Sequence, residues 1–349
     1  MTNLKFISIA GYGSTGSSAV VDLLSEVDTC NILLGKGCKI KGGEFRLIQD
    51  PDGLEDLCFN LKNSWGWVRS DAYIRRFIKY SNIIGRDPAI YEFGSKYDKL
   101  FNGKFFFYRD QFLKNIIDTK WNGYWFYHDY HERNKIEVFI EKLKRYSRRF
   151  GVSKKTVRDW TKKSDMYFVR SDVDVYKYAR EFISNLFSEY IGNDNKTNIV
   201  LDQLLLPYNR NKYDLLFENL KHIIVDRDPR DVYLDAMAYN AYPITSNIET
   251  YISFYESQRY LQKDKASTDN VLFVQFEDLI YNYENEIKRI FNFLNINQKE
   301  HIYKNTNLRI SKSIKNTQTW KRDEFKKYKK DINIIANRLS RYLYDFDAN

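Results

Sequence analysis

Three glycines, Gly11, Gly13 and Gly16, alternate with Ser14, Thr15, Ser17 and Ser18 between a short apolar run, Phe6 to Ala10, and a helix-period pattern of Ala19, Val20, Leu23 and Leu24. Strand, glycine-rich turn and helix together make a phosphate cradle. The first amides of a helix have no carbonyl partners and carry the positive end of its dipole. Glycine lets the turn tighten and lets backbone approach a ligand, and the hydroxyls add donors. Gly11 and Gly16 have the spacing of a triphosphate loop, GxxxxGK[ST], but Ser17 occupies the lysine position. Without that cation a β/γ-phosphate pair has nothing local to neutralise it, so the loop suits a single 5′-phosphate. The alternative is an ordinary strand–turn–helix with a polar turn.

A second cluster lies far along the chain. The apolar run His222 to Val225 ends in Asp226-Arg227-Asp228-Pro229-Arg230. Pro229 suits the first turn of a helix and Asp228 its cap. Arg227 then stands at the carboxyl end of a strand, where α/β sheets collect ligands, and can meet a second phosphate. Glu44-Phe45-Arg46 reads as the delivered end of another strand. A carboxylate beside a cation there is the arrangement of a general base that stays ionised, or else a surface ion pair. His128 and His131 have no evident third ligand and read as solvated, so no metal is expected. Cys30, Cys38 and Cys58 lack CxxC spacing and read as reduced thiols.

The elements that must position these residues come next. The chain has 349 residues, 43% of them apolar, enough for a substantial core. Its net charge of +10 favours anionic ligands. A strand-like run at 198–207, the run at 222–225 and the strand that opens 271–296 continue the sheet begun at Phe6. Residues 60–190 read instead as a helical, aromatic and basic insertion capping the acceptor side of one 349-residue domain. The motif VLFVQFEDLIYNYENEIKRIFNFLNI reads as a strand, a turn and a helix buried through Ile287, Ile290, Phe291 and Leu294. Within the cap, residues 133–163 hold twelve Lys/Arg against three Asp/Glu, and 148–163 resemble the second half of a helix-turn-helix. Nucleic-acid binding is not the expectation, since that docking needs a supporting helix and usually a dimer. No apolar run approaches the roughly 20 residues that span a bilayer, and a cytoplasmic location is expected.

Four segments in order resemble the sulfotransferase family, which moves a sulfuryl group from 3′-phosphoadenosine-5′-phosphosulfate to an acceptor. GYGSTGSS resembles its 5′-phosphosulfate loop, VDRDPRDVYLD its 3′-phosphate motif, VQFEDLIYNYENEIKRIFNFLNI the strand and helix that follow, and IKNTQTWK the late loop that closes on the nucleotide. The resemblance implies a P-loop-like, three-layer α/β fold with a central, mostly parallel sheet and the large helical insertion. It implies transfer to a hydroxyl or amine, with a glycan or small molecule as acceptor. GGEFR resembles the GEETR-type segment of tyrosylprotein and some glycan sulfotransferases, which makes Glu44 the base and Arg46 its partner at the sulfuryl group. Gly13, Ser14, Thr15, Gly16, Ser17, Ser18, Arg227, Asp235, Lys315, Trp320 and Lys321 would contact the nucleotide, Trp320 through adenine. Two positions depart from the family. Ser14 stands where a loop Lys or Arg is usual, which leaves Arg46, Lys41 or Lys321 to replace it. Asp235 stands where a serine commonly meets the 3′-phosphate. That aspartate must turn away, pair with an arginine, or take a ribose hydroxyl instead. A P-loop kinase, a nucleic-acid-binding protein using 133–163, and a catalytically silent relative are the competing readings.

Overall fold

The apolar run at residues 6–10 becomes the middle strand of a parallel sheet, as a run buried on both faces should. The computed structural model describes residues 4–33, 45–86, 96–128, 133–151, 163–192, 196–205, 207, 210–239, 247–260 and 268–347. Strand β1 (Lys5–Gly11) passes through the glycine turn into α1 (Ser17–Ser25) and returns as β2 (Cys30–Ile32). Then come α2 (Arg46–Gln49), α3 (Leu54–Asn63), α4 (Trp67–Arg86), α5 (Tyr97–Leu100) and α6 (Phe105–Ile116). Strands β3 (Thr119–Gly123) and β4 (Ser164–Phe168) form an antiparallel pair with α7 (Lys135–Arg149) between them in sequence. The main sheet resumes through α8 (Val175–Ile191), β5 (Asn198–Asp202), α9 (Arg210–Tyr213) and β6 (Leu220–Asp226). It is completed by α10 (Pro229–Tyr239), α11 (Ile248–Tyr260) and β7 (Val271–Gln275). Helices α12 (Phe276–Tyr281), α13 (Tyr283–Leu294), α14 (Ile310–Ser313) and α15 (Lys329–Arg338) end the chain.

The five strands lie in the order β2-β5-β1-β6-β7, and every pair is parallel. Side chains alternate across the sheet, as a period of two requires. Phe6 and Ala10 of β1 join an apolar cluster with α3, α4, α6 and α8, whereas Ile7 and Ile9 join another with α1 and α13. The result is three layers, helices on both faces of one sheet. The predicted stripe of α13 is buried as its spacing requires, at Ile287, Ile290, Phe291 and Leu294.

Much of the aromatic content packs into the first of these faces. Phe187 of α8 meets Phe6, Phe45 and Phe101 at ring-centroid distances of 5.3, 5.1 and 5.7 Å. Such pairs contribute about 0.5–1.5 kcal/mol each beyond the area they bury. This packing also explains a difference from the sequence reading. Glu44 lies outside the described residues, and Phe45-Arg46 is no strand end; Arg46 opens α2, and the fully buried Phe45 packs into the aromatic core. The second strand is the three-residue edge strand β2, and a short edge offers little to stray pairing.

Two other expectations change. The helical insertion contains the β3–β4 pair, and His128 is not solvated. It is buried, with Nε2 2.7 Å from Asp71 Oδ2, which also accepts from Arg75 Nε at 3.0 Å. A lone histidine on an amphipathic segment gives no sign of such a partner 57 residues away. His131, Cys38 and residues 152–162 of the helix-turn-helix likeness lie outside the described residues. Cys30 and Cys58 are free and buried, and burial pushes the Cys30 thiol up to about 12. Among the described residues, no helix is long and apolar enough to cross a membrane.

Candidate active site

The strand order puts two turns side by side. Strands β1 and β6 are neighbours, with Gly11 paired to Val225, so the glycine turn and the Asp226-Arg227 turn leave adjacent strand ends. From β1 the chain goes on to β2 at one edge of the sheet and from β6 to β7 at the other, a reversal of strand order that leaves a crevice at their carboxyl ends. A cavity of about 840 Å³ lies there. A second one, of about 470 Å³, sits at the amino ends of β1 and β6, and none of the predicted site residues lines it.

The turn after β1 is built from left-handed residues. Gly13, Ser14 and Gly16 have φ of 86°, 53° and 84°, and the Tyr12 amide donates to Thr15 Oγ1 at 3.2 Å. Gly16 is required twice over. A Cβ there would be strained by the positive φ and would stand 2.5 Å from the Phe276 ring. Helix α1 starts at the next residue without a side-chain cap; the Ala19 amide donates to Gly16 O at 3.0 Å, and the Ser17 and Ser18 amides come before the helix's own carbonyl ladder begins. Gly13 to Ser18 all line the cavity. Ser17 Oγ is held by Gln203 Nε2 at 2.9 Å, from the end of β5.

The Arg227 turn is braced from below. Asp228 caps α10 as predicted, accepting from the Arg230 amide at 2.9 Å and from its guanidinium at 2.9 and 2.7 Å. The Asp228 amide donates to Glu277 Oε1 at 2.9 Å. Burial pushes the Glu277 carboxyl up to about 7. Asp226 takes two bonds from Arg259 of α11, at 2.6 and 3.1 Å, and that guanidinium stacks on Tyr12 and Tyr255. The buried Arg227 then has three acceptors: Ser14 O at 2.8 Å, Asp235 Oδ2 at 3.1 Å and Asn316 O at 2.5 Å. Of the alternatives open to Asp235, this is the pairing with an arginine.

Asn316 belongs to the late loop, which is fixed by Asp231. Its buried carboxylate accepts from the Gln318 and Thr319 amides at 2.8 and 2.7 Å and from Thr319 Oγ1 at 2.5 Å. Burial raises the Asp231 carboxyl above its ordinary value. Pinned in this way, the loop turns Trp320 away from the cavity, against Arg230 at 4.0 Å and into the cluster between α10 and α15. Lys321 Nζ lies over the Trp320 ring at 5.1 Å, Lys315 is exposed, and neither lines the cavity.

Arg46 of α2 does line it, with Nη1 3.6 Å from Asp50 Oδ2. Ser14, Thr15, Gly16, Ser17, Ser18, Gly13, Arg46, Arg227 and Asp235 are thus gathered around one cavity. Glu44 and Lys41 lie outside the described residues. Asp202, Gln203, Phe254, Gln258 and Phe276 line the cavity without having been foreseen. Of these, Asp202 and Gln203 carried a usable signal, as polar residues at the end of an apolar run.

Residues 205–336 match the sequence profile of the family described as "Sulfotransferase domain". The match covers less than half of the chain, all of it in the C-terminal part. The matched span contains Arg227, Asp235, Glu277 and the late loop, and begins after the glycine turn. Two solved sulfotransferase structures resemble the fold distantly. The sulfotransferase domain of the Synechococcus PCC 7002 olefin synthase has 11% identity and a TM-score of 0.41, over 98% of this chain and 95% of that one. Sulfotransferase STF9 from Mycobacterium avium has 10% identity and a TM-score of 0.37, over 98% of this chain and 77% of that one. No curated protein matches the sequence.

Proposed function

We propose that the chain transfers a sulfuryl group from an adenosine 5′-phosphosulfate-type donor to a hydroxyl or amine of a glycan or small molecule. One observation carries the reading. An uncapped helix start in a left-handed glycine turn and an arginine-bearing turn share one cavity, within a chain matching the sulfotransferase family. The family's donor is 3′-phosphoadenosine-5′-phosphosulfate, and its 5′ end suits the donor set of Gly13–Ser18.

The phosphosulfate supplies an activated sulfuryl group and leaves as the 5′-phosphate. The chain's tasks are then to remove the acceptor's proton, hold the acceptor in line, and meet charge growing on the departing phosphate oxygen. Glu44 takes the proton. The α1 start takes the phosphate charge, since fixed dipoles need no reorganisation when charge develops. Ser14 cannot supply the cation usual in that loop. Among the described residues, the cations lining the cavity are Arg46 and Arg227, and Arg227 is held by three acceptors. Arg46 is therefore the cation assigned to the sulfuryl end. Residues 60–190 serve as the cap on the acceptor side.

Incubation with sulfur-labelled donor and a panel of glycans, lipids and small phenols tests the reading. Label appearing on an acceptor supports it. Phosphate release from ATP, with no label transferred from any donor, points instead to phosphoryl chemistry.

A further inference from the structure

Arg227 and Asp235 both line the cavity, and their pairing limits what can bind beside them. Both Arg227 Nη groups are engaged, Nη1 with Ser14 O and Asp235 Oδ2 and Nη2 with Asn316 O. The remaining Nε is buried, without a partner among the described residues, and the guanidinium lies 5.4 Å from the Phe276 ring. Asp235 is different. Its side chain is 39% exposed and lines the cavity, and Oδ1 has no partner among the described residues.

A phosphate arriving here would have to displace the carboxylate from the arginine and then lie beside it, two anions competing for one cation. A hydroxyl has no such conflict. It donates to Asp235 Oδ1 while Oδ2 keeps Arg227, and an ionised acceptor makes that a strong hydrogen bond. Carboxylates at ribose sites of α/β folds make this choice, taking the hydroxyl and refusing the phosphate.

We propose that Asp235 reads an unphosphorylated ribose, so that the nucleotide bound here is adenosine 5′-phosphosulfate and the product leaves as adenosine 5′-monophosphate. This rests on the nucleotide reading of the cavity. Arg227 acts as a positioning residue that orients Asp235 and fastens the glycine turn. Discrimination comes from the charge that Asp235 presents to the wrong ligand, as specificity is a difference of two affinities.

Calorimetric titration of adenosine 5′-monophosphate and adenosine 3′,5′-bisphosphate into the full chain tests it, with Asp235→Ser and Asp235→Asn as variants. The wild type is expected to bind the monophosphate at least about tenfold tighter, and each variant to move the ratio about tenfold or more toward the bisphosphate. Equal or tighter binding of the bisphosphate by the wild type overturns the proposal and leaves the nucleotide reading standing. A ratio unchanged in both variants overturns the role of Asp235. Failure of the wild type to bind either nucleotide overturns the nucleotide reading itself.

Discussion

Arg227 Nη1 donates to the carbonyl of Ser14 at 2.8 Å, so the cation at the end of β6 is fastened to the glycine turn at the end of β1. The same guanidinium reaches Asn316 in the late loop, and three segments far apart in sequence meet on one side chain. Lysine presents a point charge and not a planar fork, and cannot reproduce all three bonds. Arg227→Lys is expected to cost about 1–3 kcal/mol of stability. It should also weaken nucleotide binding about tenfold. Denaturant melts and calorimetry with adenosine 5′-monophosphate measure both, and an unchanged affinity contradicts the assignment.

Asp231 holds the late loop through three donors. Asp231→Ala leaves two backbone amides and a hydroxyl without an acceptor, at about 1–3 kcal/mol. Limited proteolysis should then cut within 314–321 faster than in the wild type. Equal cleavage rates would show that the loop is held by something else.

Glu277 ties stability to pH. Its folded-state value, raised by burial from 4.5 to about 7, means that the folded chain holds a proton that the unfolded chain has released. The associated stability is fully present below pH 4.5 and is lost as pH rises through 7. Over that window a shift of this size corresponds to about 3 kcal/mol. Glu277→Gln removes this term. The urea midpoint of the variant should gain on the wild type between pH 5 and pH 8, and a constant gap between the two pH values rules this out.

Glu44→Gln bears on the base. Turnover is expected to fall by about 10²–10⁴-fold, the range a positioned general base contributes. Affinity for adenosine 5′-monophosphate should stay within about twofold, because the residue acts on the acceptor. Single-turnover kinetics alongside calorimetry separates the two, and undiminished turnover removes Glu44 from the role.

What could be read in advance follows the range of the interaction. The glycine turn, the Asp228 cap and the α13 stripe depend on residues within a few positions of one another, and all were legible. So was the cavity's membership at Ser14, Gly16 and Arg227, because strand ends in α/β sheets converge by rule. The supports were not. Arg259 meets Asp226 across 33 residues, and Glu26 accepts from His301 and from the Asn305, Asn307 and Leu308 amides across some 280. A charged residue in an apolar stretch shows that a partner exists, but strand order decides which one. Trp320 was misplaced for the same reason. Its position depends on Asp231 pinning the preceding residues, and nothing in IKNTQTWK shows where that anchor lies.

The central claim is that the α1 start receives a nucleotide's 5′-phosphate. Backbone amide resonances of the nitrogen-labelled chain, followed while adenosine 5′-monophosphate is added, test it most directly. The account predicts saturable shifts of Gly16, Ser17 and Ser18, larger than those of residues lining the opposite cavity such as Asn219 and Asn270. Unmoved resonances at 16–18, with shifts concentrated elsewhere, would contradict it.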